Sequence, residues 1–453
     1  MSSLEPFTSP RARVFARLWA VALLAHVVGN YALASLPGLV GWTNFGAGAA
    51  ALALGLYPSR ATLMVASAAC VASAVAEMPI TGNHWIVAAL VSLAVLVARA
   101  RPEQMFPTIR CGLLVFYSFA AFAKLNAGFL DPSVSCGLHF VNQWLDGFGL
   151  PAFAADSWGG LATVWGPTLV ELAVPPLLLW PPSRPLGVFV ATGFHTGISY
   201  DFHQHFYDFT ALLLPLFFLF VGDATAARID TAMHGAPQLL RRGAATAFAA
   251  AGAVLVVAAV LPAAGIAAIL VRSLPFVLWI PFSMWWLLTL VRSLAPASPL
   301  RWSLTPAGAL IVAVAFLNGL TPYTEVKTAF GYNMYANLIT VNGESNHYVI
   351  RRTLPLRDGH RDPVTIVATD DPGLRPYAEQ GFLLPWPQFR SYLFRHPEVA
   401  VVYERAGARH EVGLAGEVNE LAAAVPWWWR LLPLRAIGSQ HPPRCQDVFL
   451  EAL

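Results

Sequence analysis

The chain has 453 residues, 57% of them hydrophobic and only 12% charged, with a formal net charge of +3. Soluble globular proteins carry about 25% charged residues. The composition, with a mean hydropathy of +0.57, therefore excludes a disordered chain, a nucleic-acid binder and an ordinary cytosolic enzyme. A polytopic membrane protein fits it.

The charges divide unevenly. Residues 1–320 hold 15 Lys+Arg and 11 Asp+Glu, whereas residues 321–453 hold 13 and 14. The predicted organisation is an all-α membrane domain over 1–320, with about 9–12 transmembrane helices, followed by a small mixed α+β domain over 321–453. Apolar stretches of membrane-helix length number about eleven, near 14–35, 41–57, 61–77, 84–98, 111–129, 162–180, 185–200, 207–221, 245–268, 274–291 and 303–320. Arg11, Arg13 and Arg17 before the first run and Ala32-Leu33-Ala34 after it have the form of a signal peptide. More spans follow at once, which favours an uncleaved signal anchor.

With the N-terminus in the cytoplasm, the inner loops collect Arg60, then Arg99, Arg101 and Arg110, then Arg184, then Arg228, Arg241 and Arg242, then Arg292 and Arg301. Arg272 is the main exception on the outer side. By the positive-inside rule this predicts a multi-pass protein of the plasma (inner) membrane with an extracytoplasmic 321–453. Residues 137–158 mix Phe140, Trp144, Phe148, Phe153 and Trp158 with Asp146 and Asp156, as an outer-surface amphipathic segment would. Trp427–Trp429 either dock on the headgroups or form the core of the small domain. In that domain Val399–Glu404 and His410–Gly413 read as a hairpin, His347–Leu354 and Pro363–Thr369 as strands, and Trp386–Arg395 and Gly416–Val425 as short helices. Cys136 and Cys445 are either a disulfide or free thiols.

Ionisable residues inside spans mark function or a water-filled cavity. His84 opens the fourth span after Asn83, Lys124 lies in the fifth, Glu171 in the sixth and His195 in the seventh. Asp201, His203 and His205 follow in the next outer turn, and Asp208 starts the eighth span. The topology puts all of these in the outer half of the bilayer, where one cavity would collect them. Lys124 is the most informative, because the chain has 26 Arg and two Lys. A buried lysine can lose its proton and act as a base, which arginine cannot. Snorkelling, or a structural pair with Glu171, would account for it equally well. His195, Asp201, His203, His205 and Asp208 fit no familiar ligand spacing, so no metal is expected. His26, alone in the first span, is assigned to structure.

Residues Tyr117–Leu130, YSFAAFAKLNAGFL, resemble the lysine-bearing helix of vitamin K-dependent gamma-carboxylase and of its bacterial relatives with the HTTM (horizontally transferred transmembrane) domain. Asn83-His84 before an apolar span is similar to a histidine motif one helix earlier in that family, and Pro182–His195 resembles its later span ending in Phe-His. Phe330–Met334 and Ser345-Asn346-His347 resemble elements that open its extracytoplasmic part. The resemblance is best over about 80–220.

The resemblance implies a membrane enzyme in which Lys124 deprotonates a quinol, with His84 and His195 orienting or polarising the quinol oxygens. Asn83, Glu171, Asn126, His203 and His205 are the candidate substrate-binding residues. The implied cofactors are reduced vitamin K or menaquinol with oxygen and carbon dioxide, giving epoxidation coupled to carboxylation of a peptide or small carbon acid. The family's carboxylases carry a much larger extracytoplasmic region than 321–453. The alternatives are a non-enzymatic membrane protein of this type (transport, immunity or scaffold) and a quinone-linked redox partner. The lipid bilayer is the expected surrounding in every case, and no nucleic acid is expected.

Overall fold

Capping chemistry and apolar runs together set the helices of this chain. The structure is a computed structural model, and residues 5–33, 38–201, 203–204, 206–234, 266–438 and 444–446 are described below. In order, α1 is Pro10–Leu33, α2 Gly38–Leu56, α3 Arg60–Ala76, α4 Asn83–Val97, α5 Pro102–Ala123 and α6 Cys136–Gly147. They are followed by α7 Trp158–Leu179, α8 Arg184–Ile198, α9 Tyr207–Phe218, α10 Asp223–His234, α11 Ile266–Ser293 and α12 Pro306–Leu320. Ser59 caps α3 reciprocally with Thr62, Ser157 accepts from the Gly160 amide to start α7, and Thr305 does the same for Gly308 in α12. Each satisfies an amide that the first helical turn leaves without a partner. Pro102 and Pro306 stand at helix starts, where a missing N–H costs nothing.

The chain is a multi-pass membrane protein. Among the described residues six helices are long and apolar enough to cross a bilayer: Pro10–Gly29, Gly38–Leu56, Pro102–Ala123, Trp158–Leu179, Pro275–Ser293 and Pro306–Thr324. Arg60–Ala76, Asn83–Val97 and Tyr207–Phe218 are apolar but shorter. Helices stand at ten of the eleven expected positions, several of them short, and most of the expected 245–268 span lies outside the described residues. Residue 272, read as an outer-loop cation, falls inside α11. The centre of the bundle is α1, whose Phe15, Trp19, Leu23 and Val27 are buried.

Two arginines expected among the inner-loop cations are buried staples. Arg110, within α5, donates to the carbonyls of Leu219 and Arg301 at 3.2 and 2.6 Å. Arg184, at the start of α8, donates to those of Leu178 and Ser298 at 2.9 and 3.0 Å. Each guanidinium meets carbonyls in a loop and at a helix C-terminus that the helices leave without a partner.

After α12 the chain makes a two-residue-strand hairpin, β1 Thr340–Val341 and β2 Glu344–Ser345, on the end of the bundle. The small sheet comprises β3 Val364–Thr369, β4 Phe382–Leu384, β5 Val401–Arg405, β6 Ala408–Val412 and β7 Ile437–Gly438. Its order is β6-β5-β3-β4-β7, and every pairing is antiparallel. Helices α13 Arg375–Gln380, α14 Trp386–Arg395 and α15 Asn419–Ala422 complete the region. Val364, Ile366, Tyr377, Phe389, Tyr392 and Tyr403 form a core separate from that of the bundle.

The β5–β6 hairpin and α14 stand where the sequence places them. His347–Leu354 is not a strand: it makes only isolated bridges, one of them from His347 to Asn126 in the bundle. The expected helix 416–425 shrinks to Asn419–Ala422 behind a short 3-10 turn. Trp427 is 73% exposed and Trp428 44%, so the tryptophan run is not the small domain's core. Cys136 and Cys445 are joined as a disulfide.

Candidate functional site

Lys124 ends α5 as its C-cap residue, and its Nζ pairs with Glu171 Oε2 on α7. Both side chains are nearly enclosed, and the Phe129 ring lies 5.6 Å from Nζ. The helix holding Glu171 is locally open. Pro175 and Pro176 have no N–H to give to the carbonyls of Glu171 and Leu172, so two ladder bonds are missing beside this carboxylate.

The turn after Lys124 is fixed by Asn126, which is fully buried. Its Nδ2 donates to the carbonyls of Ala123 (2.7 Å) and Ala336 (2.6 Å), and its Oδ1 accepts from the amides of Gly128 and Phe129, both at 2.9 Å. Asn346 Nδ2 adds a further bond to Oδ1 at 3.2 Å. An amide so occupied has nothing left for a ligand, and Asn126 holds the loop instead.

The region after α12 clamps this same turn. His347 Nδ1 accepts from the amides of Val349 and Ile350, both at 3.1 Å, which leaves Nε2–H to donate to the Phe122 carbonyl at 2.8 Å. That arrangement defines a neutral ring, and burial holds its pKa below the ordinary histidine value despite the opposing Phe122 bond. Tyr348 N to Leu125 O and Ala127 N to Asn346 O, both at 3.0 Å, complete the clamp.

His195, buried in α8, has Nε2 2.9 Å from Tyr117 Oη, and its Nδ1 is buried without a hydrogen-bond partner. Tyr117 and Lys124 are seven residues apart and share one face of α5, about 10 Å apart along its axis. Phe209 and Phe217 pack on the His195 ring.

His84 belongs to a third group. Its Nε2 lies 2.8 Å from Asp208 Oδ2, and His26 Nδ1 lies 2.8 Å from the same oxygen. His26 Nε2 faces Glu77 at 3.3–3.4 Å, and Glu77 Oε1 also accepts from Asn44 Nδ2 and Ser73 Oγ, each at 2.9 Å. The His26 ring stacks on Trp85 with centroids 3.4 Å apart.

The ionisable residues expected in one outer region form three bonded groups: Lys124–Glu171, His195–Tyr117, and His84–Asp208–His26–Glu77. Phe209 packs against the rings of both His84 and His195. Each ionisable group has found a local partner, because an unpaired buried charge costs more than any convergence would return. A narrow apolar cleft lined by Val91, Thr108, Gly112, Ile311, Ala315 and Tyr332 lies elsewhere, between α4, α5 and α12.

Residues 80–221 match the family model of the HTTM domain. The chain carries an HTTM domain. It is a membrane domain linked to vitamin K-dependent carboxylase-like proteins, and here it runs from the turn before α4 to the end of α9. No curated protein and no solved structure matches the chain.

All the sequence-selected site residues fall inside the HTTM domain, and those described divide among the three bonded groups and the turns beside them. Asn83 Oδ1 accepts from the Tyr332 amide at 3.2 Å. His203 is exposed, and its amide donates to Asp201 Oδ1 at 2.7 Å, so Asp201 organises a turn. His205 lies outside the described residues. Sequence reasoning assigned His26 to structure and did not single out Glu77; both precede the HTTM domain and complete the group around His84. Nothing local in the sequence joins them, since α1, the C-cap of α3, α4 and α9 each supply one member.

Proposed function

We propose that this chain is an integral-membrane enzyme in which Lys124 is the base toward a quinol-type or other lipid-soluble substrate. The observation that carries the reading is the Lys124–Glu171 pair at the end of α5. Proton transfer from the ammonium to the Glu171 carboxylate leaves a neutral amine, which then takes the substrate O–H proton. His195, steadied by Tyr117, keeps its other ring nitrogen for a substrate oxygen, and His84 is the second polarising group. The apolar surroundings exclude water from the anion so formed. By resemblance, reduced vitamin K or menaquinol, oxygen and carbon dioxide are the co-reactants, and a peptide or small carbon acid is the acceptor.

We place the protein in the plasma membrane with residues 321–453 outside the cytoplasm. The Cys136–Cys445 disulfide supports this, since such bonds persist in oxidising compartments.

One feature favours a second reading, a non-enzymatic HTTM protein: a lysine already bonded to a carboxylate is what a structural ion pair requires. The two diverge for Lys124→Arg. Purified protein in nanodiscs is given menaquinol or reduced vitamin K under oxygen, and the epoxide is followed by chromatography. A base role predicts that Lys124→Met and Lys124→Arg each lose about 10²-fold or more. An Arg variant equal to wild type, or no epoxide from folded wild type, rejects the enzyme.

A further inference from the structure

The Lys124 reading uses only His84 of the group formed by His26, His84, Asp208 and Glu77, and it leaves the other three without a role. We propose that His26, His84 and Asp208 bind one divalent transition-metal ion of the zinc class, with Glu77 orienting His26. Ligand atoms of the three residues lie within 4.8 Å of one another, although the residues come from α1, α4 and α9.

Hydrogen counting shows why something positive belongs there. Both ring nitrogens of His26 face carboxylate oxygens: Nε2 faces Glu77, and Nδ1 faces Asp208 at 2.8 Å. A neutral imidazole has one N–H, so it satisfies one of these and turns a lone pair toward the other; a second proton on the ring or a metal cation removes the mismatch. His84 Nε2 points at the same Asp208 oxygen, also at 2.8 Å. A cation between Nδ1, the His84 nitrogen and Asp208 Oδ2 resolves all three contacts. It asks only that the donor separations open to about 3.3 Å, the value for a tetrahedral ion with bonds near 2.0–2.1 Å. The charges also balance, because two carboxylates and two neutral imidazoles neutralise a divalent ion inside an apolar bundle.

The surroundings are those of a metal ligand set. A ligating histidine commonly gives its other N–H to a carboxylate, and that carboxylate is itself hydrogen-bonded. Glu77 takes this part toward His26 and is held by Asn44 and Ser73. Trp85 fixes the plane of the His26 ring. The His84 and Asp208 side chains are 18% and 15% exposed, against 4% for His26, which gives the ion a way in. Two imidazoles with a carboxylate suit zinc-class ions rather than magnesium or calcium, which prefer oxygen alone. The sequence reading expected no metal because it compared ligands along the chain, and these are brought together only by helix packing.

The test uses tag-free, full-length protein in detergent, stripped of metal and titrated with Co²⁺ and then Zn²⁺. Visible absorption of bound Co²⁺ and metal per protein by mass spectrometry are the readouts. We expect about one equivalent in wild type and in Lys124→Met, at least a tenfold loss in Asp208→Asn and His84→Gln, and a 10–100-fold weakening in Glu77→Gln. Variants are compared only where they remain monodisperse, and the wild-type titration decides the matter without them. Wild-type protein that takes up no Co²⁺, or Asp208→Asn and His84→Gln that bind it as wild type does, overturns the proposal. The network would then be held by protons alone. Retention in Lys124→Met keeps this outcome separate from that of the enzyme reading.

Discussion

Lys327 is the chain's other lysine. It is buried just beyond α12, and its Nζ donates to Asn318 Oδ1 at 2.8 Å. Burial pushes its pKa down to about 7, because an ammonium removed from water is disfavoured. In the unfolded chain the same group returns to about 10.4. Between those values the unfolded chain binds more protons than the folded one, so stability rises with pH across the window. Below about pH 7 both states are protonated, and the folded state bears the full burial cost. Lys327→Met should therefore raise the Tm in detergent at pH 6.5 by several degrees, with the gain shrinking or reversing by pH 9.5, where only the bond to Asn318 is lost. An equal shift at both pH values would mean that the lysine is not buried as a cation. The rarity of lysine singles out Lys124 within a span, but Lys327 falls in a stretch of ordinary charge density, where nothing marks it. His26 was set aside for the complementary reason: it stands alone in α1, and its partners are 51 to 182 residues away.

At the scale of elements, the contact of α12 with α5 depends on missing side chains. A Cβ on Gly319 would stand 2.3 Å from the Phe119 ring, and one on Gly308 would stand 2.3 Å from Thr108 Oγ1. The two glycines are eleven residues apart, three helical turns, and so lie on one face. Small residues let membrane helices approach closely where lipid gives no hydrophobic drive. On propensity alone Gly319→Ala gains about 1 kcal/mol, whereas overpacking costs about 1–3 kcal/mol. We expect packing to win, so that Gly319→Val lowers the Tm by several degrees while the lipid-facing Leu310→Val leaves it unchanged. Thermal unfolding of both variants in one detergent checks this. Elements with their own local chemistry were legible. The β5–β6 hairpin turns at Ala406-Gly407, both at positive φ, as a two-residue hairpin loop requires. The strands β4 and β7, three and two residues long, exist only because β3 and β4 offer an edge, and no pattern that short can be read. Helices α4 and α9 are apolar but shorter than a full span, and hydropathy alone does not separate a helix buried among others from one facing lipid.

At the scale of the whole molecule, the C-terminal region and the bundle are tied at two places close to Lys124. One is the His347 clamp on the turn Phe122–Asn126. The other is the Cys136–Cys445 disulfide, which closes a sequence separation of 309 residues. Next to it the Cys136 amide donates to Asn337 Oδ1 at 2.8 Å, and Phe129, the residue under the Lys124 ammonium, packs in the same small apolar cluster as both cysteines. Removing the disulfide should therefore act on the site as well as on stability. Cys136→Ser/Cys445→Ser is expected to lower unfolding stability by about 2–5 kcal/mol, read as a lower Tm in detergent, with reductant abolishing the difference between wild type and variant. The same bond reports orientation. After mild reduction of intact cells, a membrane-impermeant thiol reagent should label wild type but not the double variant, because Cys70 and Cys111 lie in helices of the bundle. Labelling that appears only after the membrane is opened would put residues 321–453 in the cytoplasm. It would also put the turn after Lys124, the clamp that holds it and any substrate reaching them on the side opposite to the one the arginine distribution indicates.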